Sequence, residues 1–81
     1  MMKAKYEYTI YKVASEEYFK KQCEALEKQI SNIKKAKLLE DVDGSKIQVY
    51  KHDRGEVRVC NDYFTNCLYV ESEFDLTGYF G

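Results

Sequence analysis

The residues of this chain with the means for covalent chemistry are a thiol, Cys60, and an imidazole beside a carboxylate, His52-Asp53. Those types suit a nucleophile activated by a base. His52 and Asp53 fall at a strand end, however, and neighbouring strand residues point to opposite faces. No glycine-rich phosphate loop and no nucleophile elbow accompany them, so a surface histidine, a turn aspartate and a buried small thiol are expected. Metal chemistry is no better supplied. Cys60 and Cys67 lack the close pairing of a zinc site, and His52 is the only histidine. Asp41-Val42-Asp43-Gly44 has the acidic–glycine pattern of a calcium loop. Aligning Gly44 with the loop glycine nevertheless puts Leu39 and Tyr50 at end positions that require ligating oxygens. Neither a cofactor nor a metal is expected, and the protein reads as non-enzymatic.

The elements that would carry these residues are read from periodicity. Tyr6 to Val13 is rich in aromatic and β-branched residues, as a strand is. Ser15 is a good helix N-cap, followed by Glu16 and Glu17 at the positive end of the dipole. Phe19, Cys23, Leu26, Ile30 and Ile33 recur every three or four residues and predict an apolar helix stripe. Lys21, Lys28 and Lys35 fall on the opposite side of that helical wheel. The pattern predicts a helix over 15–35 and a strand near 37–42; the alternative continues the helix to Val42. Asp43-Gly44 signals a two-residue hairpin turn, which pairs Leu38 with Val49 and Glu40 with Ile47. Ile47 to His52, Val57 to Cys60 and Leu68 to Phe74 then alternate as strands. Gly78-Tyr79-Phe80-Gly81 reads as a tail that tucks in or frays.

The expected fold is α+β in a single domain, residues 1–81. One long amphipathic helix packs on one face of an antiparallel sheet of four to five strands, in the order β-α-β-β-β-β or β-α-β-β-β. That arrangement leaves the second sheet face to solvent or a partner.

Composition points the same way. Eight tyrosines against one histidine favour contact over catalysis, since a phenol ring offers a large apolar body with a polar tip. If Ile10, Ile47, Val49, Val57, Val59, Leu68 and Val70 face the helix, alternation sends Tyr11, Tyr50, Arg58, Cys60, Tyr69 and Glu71 outward. Tyrosine and arginine dominate interface hot spots, so Tyr11, Tyr50, Arg58, Tyr69 and Glu71 are the expected partner-binding set. The partner is another protein or a second copy in a homodimer. Charge divides along the chain: residues 1–39 carry nine lysines against five glutamates, and residues 40–81 carry four basic against nine acidic side chains.

Two electrostatic readings follow. The lysine face (Lys21, Lys28, Lys35) would suit nucleic acid, although the net charge is −1 and only two arginines occur. Conversely, Glu40, Asp41, Asp43, Asp62, Glu71, Glu73 and Asp75 would oppose a basic groove on another protein. Small chains without proline and rich in Tyr, Lys and Glu are the sort expected of phages and mobile elements. Inhibitors of host nucleases or CRISPR effectors are often of this size, an analogy of size and composition alone. Apolar runs are too short to span a bilayer, and the amino end lacks an apolar signal region. A cytoplasmic address with reduced Cys23, Cys60 and Cys67 is expected.

Overall fold

The computed structural model describes residues 5–80. Five antiparallel strands form one sheet: β1 (Tyr6–Tyr11), β2 (Lys34–Glu40), β3 (Lys46–His52), β4 (Gly55–Asp62) and β5 (Cys67–Ser72). Their order across the sheet is β1-β5-β4-β3-β2. The last four strands in sequence are therefore a meander, and β1 closes it by pairing with β5. Helix α1 (Glu16–Gln29) joins β1 at one edge to β2 at the other, and a short helix, α2 (Thr77–Phe80), follows β5.

The expected long amphipathic helix on the sheet is overturned: α1 has 14 residues and ends at Gln29. Its start follows the sequence cues, because the Ser15 hydroxyl accepts from the Tyr18 N–H and Glu16 and Glu17 occupy the first turn. Its end has a local cause. Ile30-Ser31-Asn32-Ile33 is a run of weak helix formers; Ile30 is extended and Asn32 is left-handed at φ 62°. The apolar spacing persists past the helix because Ile30 is still buried in the core and Ile33 packs against it. Spacing alone does not distinguish a helical turn from a tight loop that returns to the same core. Of the expected tail, Tyr79 lies in α2 and packs on the core, while Gly81 lies outside the described residues.

The phase of β3 is also inverted. Tyr50 pairs with Val57 and Gln48 with Val59, whereas Ile47 pairs with Cys60 and Val49 with Arg58. Directly opposed residues share a face. One face therefore carries Gln48, Tyr50, Val57, Val59, Leu68 and Val70, and it meets Phe19, Cys23 and Leu26 of α1. The opposite, open face carries Ile47, Val49, Arg58, Cys60, Tyr69 and Glu71.

The cause lies in the β3–β4 hairpin: His52 pairs with Gly55 across a two-residue Asp53-Arg54 turn, and that register sets Tyr50 opposite Val57 and Val49 opposite Arg58. The β2–β3 turn shifts the register at the neighbouring edge. The Asp41 N–H donates to Ser45 O at 2.8 Å and the Gly44 N–H to Asp41 O at 3.1 Å, with Gly44 at φ 90°. The loop is thus one residue longer than a two-residue turn, and Leu38 meets Gln48 instead of Val49. One residue of register turns every side chain over.

Irregularities at both edges are sealed by side chains. A register shift in β2 between Lys35 and Leu38 leaves the carbonyls of Ala36 and Lys37 facing the buried Gln48, whose Nε2 donates to them at 3.3 and 3.2 Å. Past β5, the Tyr8 hydroxyl donates to Asp75 Oδ1 at 3.0 Å and accepts from the Leu76 N–H at 2.9 Å. That holds buried Phe74 and Leu76 over the end of the core.

Candidate cleft on the open sheet face

Two turns at one end of the sheet build the site. The β2–β3 turn runs through Asp41 and Asp43, and the β4–β5 turn through Tyr63 and Phe64. They are laced together by the Tyr63 N–H donating to Ser45 Oγ at 2.9 Å, with the Tyr63 ring lying against Gly44. Asp62 Oδ1 accepts from the Phe64 N–H at 2.9 Å, which fixes the second turn. Between the turns and the open face lies a cleft of about 410 Å³. Its apolar lining comes from Leu39, Ile47, Cys60, Phe64 and Tyr69. Phe64 is 88% exposed and Val42, in the adjacent turn, fully so. Exposed apolar side chains gathered on adjoining turns are of the kind that marks a contact surface.

Carboxylates surround this lining. Glu40, Asp41, Asp43 and Asp62 border the cleft. Glu40 shares Lys46 with Glu16, at 3.8 and 2.9 Å respectively. Among the described residues, Asp41, Asp43 and Asp62 have no cationic partner; each accepts backbone N–H groups instead, from Val42, Ser45 and Phe64. The Ser45 backbone N–H holds the Asp43 carboxyl below its ordinary range. Further along the face, Glu71 accepts from the Cys60 thiol at 3.6 Å, and Arg58 Nε donates to Glu56 at 3.1 Å. No three His, Cys, Asp or Glu side chains gather to hold a metal ion among the described residues.

The expected partner-binding residues divide. Arg58, Tyr69 and Glu71 share the open face. Tyr50 does not: it is wholly buried on the helix side, its hydroxyl donating to Glu27 Oε2 at 2.6 Å. Tyr11 is likewise on the helix side, stacked on Tyr18 of α1 with ring centroids 4.1 Å apart. A bulge between Thr9 and Tyr11 sets Tyr11 opposite Leu68, which turns the ring over.

The lysine stripe is broken too. Lys21 pairs with Glu17 at 3.4 Å, Lys28 lies in the last helical turn, and Lys35 is on β2, 3.8 Å from Glu27. Phe64, Leu39 and Val42 were not anticipated as site residues. Their one sequence signal is an aromatic pair, Tyr63-Phe64, set among turn formers, Asn61-Asp62 and Thr65-Asn66.

The thiol and imidazole are far from cooperating. His52 faces Gly55 across the β3–β4 hairpin, five residues along β4 from Cys60. Its ring is used structurally: Nδ1 accepts from the Arg54 N–H, Nε2 donates to Ser31 O, and the plane stacks on Phe74. Cys60 is 1% exposed; burial, reinforced by the Glu71 carboxylate, pushes its thiol up to about 12. Thiolate is the reactive form. In native-state alkylation near neutral pH, Cys67, which is half-buried, is expected to react first, with Cys60 and Cys23 reacting only as fast as the chain opens. Mass spectrometry showing Cys60 modified ahead of Cys67 would contradict this.

Comparison with protein-family models, with curated proteins and with solved structures finds no match to this chain. No helix among the described residues is long and apolar enough to cross a membrane.

Proposed function

We propose that this protein is a non-enzymatic protein-binding module that works through its open sheet face, centred on the cleft between the β2–β3 and β4–β5 turns. The observation that carries the reading is the apolar surface left exposed at that cleft, with Leu39 41% exposed and Phe64 88% exposed on a hydrogen-bonded turn. Tyr69, Arg58 and Glu71 continue the same surface. This mixture of an apolar centre and a polar, charged margin is the anatomy of a protein interface. Its position on β-strands and short tied turns makes it pre-organised, which lowers the entropic cost of docking. A phage or mobile-element inhibitor of a host nuclease or CRISPR effector is one role such a module fills, on the analogy of size and composition.

Photo-crosslinking tests which face is used. A benzophenone side chain is placed at Phe64, and in a separate protein at Lys28 on the helix. Adducts to one identified polypeptide are expected from Phe64 and not from Lys28, and Phe64→Ser is expected to release that polypeptide. Adducts from Lys28 with none from Phe64 would overturn the reading.

A further inference from the structure

Two grooves border the sheet, and their charges differ in kind. The groove between α1 and β2 is lined by both signs, with Lys46 on Glu16 at 2.9 Å and Lys35 on Glu27 at 3.8 Å. Those pairs neutralise one another, so the groove presents little field to a partner. The open-face cleft is bordered by three carboxylates, Asp41, Asp43 and Asp62, with no cation on any of them among the described residues. The lone lysine of its lining, Lys46, has its ammonium group held by Glu16 and Glu40. An apolar lining under a one-sign border selects a ligand that is apolar along its stem and cationic at its tip. Arginine and lysine side chains have that form.

We propose that the cleft receives a basic segment of a partner protein: an arginine or lysine lays its alkyl stem on Ile47 and Leu39, and its charged head meets Asp41, Asp43 and Asp62. This rests on the protein-binding reading above and names the partner's chemistry. Phe64 and Tyr69 offer ring faces on which a guanidinium stacks favourably. The carboxylates already accept backbone N–H groups within their own turns, so they are held in place before the partner arrives. Charge also decides against the other occupants. A second copy docked symmetrically on this cleft would bring three more unpaired carboxylates against the first three, and a nucleic acid would bring phosphates. Both meet like-charge repulsion.

The test uses the intact chain and three probes: a short synthetic peptide alternating Arg and Leu, the same peptide with Glu for Arg, and a single-stranded oligonucleotide. The Arg–Leu peptide is expected to bind and to shift the backbone NMR signals of Ile47, Cys60, Phe64 and Tyr69, while the other two leave them in place. Its affinity is expected to fall steeply as salt is raised, because exposed charge contacts are screened. The triple variant Asp41→Asn, Asp43→Asn, Asp62→Asn keeps every Oδ1 acceptor and is expected to bind at least about tenfold more weakly. Phe64→Ser is a second variant at an exposed position, expected to weaken binding with little effect on folding. Unchanged affinity in both variants, peptide shifts confined to α1, or a salt-insensitive affinity would overturn the inference. So would a concentration-dependent dimer that protects the cleft, or oligonucleotide binding there. If an identified partner crosslinks at Phe64 while the Arg–Leu peptide fails to bind, the basic-segment inference falls and the protein-binding reading stands. If no protein docks at Phe64, both fall.

Discussion

Tyr50→Ala is expected to leave little of the folded domain, with a loss of about 3–5 kcal/mol from deleting a large buried ring. A chain of this length typically has roughly 4–12 kcal/mol of stability in total. Tyr50 is fully buried and belongs to the core that joins β3 to α1 through Cys23 and Leu26. Its neighbours on that face, Val57 and Val59, are held in a regular ladder and cannot close over a ring-sized void. Urea denaturation followed by circular dichroism reads the loss directly. Tyr50→Phe separates packing from hydrogen bonding: it keeps the ring and removes the 2.6 Å bond to Glu27, at a cost of about 1–2 kcal/mol. Tyr69→Ala, on the open face, is expected to stay folded. A Tyr50→Ala protein with a native spectrum and an unchanged urea midpoint would show that the ring is not part of the core.

Gly55→Ala has the second largest expected effect, for a reason that resides in the backbone. Gly55 opens β4 at φ 147°, a region that side chains rarely enter, and a Cβ there would stand 2.8 Å from the Glu73 Cβ. Neither partner moves cheaply. Glu73 Oε1 accepts from the Glu56 N–H at 2.6 Å, and the Glu73 N–H donates to Glu56 O at 3.1 Å. Strain of this type costs on the order of 1–3 kcal/mol before the clash is counted. For a domain of this size, each kcal/mol lowers Tm by roughly 4–8 °C, so a fall of about 10–20 °C is expected. Gly78→Ala is the control. Nothing lies within 4 Å of its Cβ position, and alanine in a helix is favoured over glycine by about 0.5–1 kcal/mol. Equal melting temperatures for the two variants would rule out the strain account.

How much of this was legible beforehand differs from element to element. The start of α1 was, because Ser15, Glu16 and Glu17 satisfy and complement the helix end through contacts within one turn. Its end was not, because Ile30 and Ile33 keep their apolar spacing while the backbone leaves the helix at Ile30 and turns left-handed at Asn32. On the open face, Arg58, Tyr69 and Glu71 could be grouped by alternation. The placements of Tyr50 and Tyr11 failed at two local features, the two-residue Asp53-Arg54 turn that sets the β3–β4 register and a bulge after Thr9. The cleft itself needed both turns tied together, and the bond between Tyr63 and Ser45 joins residues 18 apart.

By itself, the sequence determined local preferences: a capped amphipathic turn structure after Ser15, strands with two unlike faces, and turns punctuated by Asp, Asn and Gly. It left undecided which of the two faces of each strand is buried. Alternation says only that neighbours differ, so either phase satisfies it, and hydropathy favoured the wrong one for Ile47 and Val49. Tertiary structure made the choice, because a strand's phase is inherited from the register of its pairing. That register is fixed by turn length and bulges together with long-range packing, and a single residue of difference moves a tyrosine from water to the core.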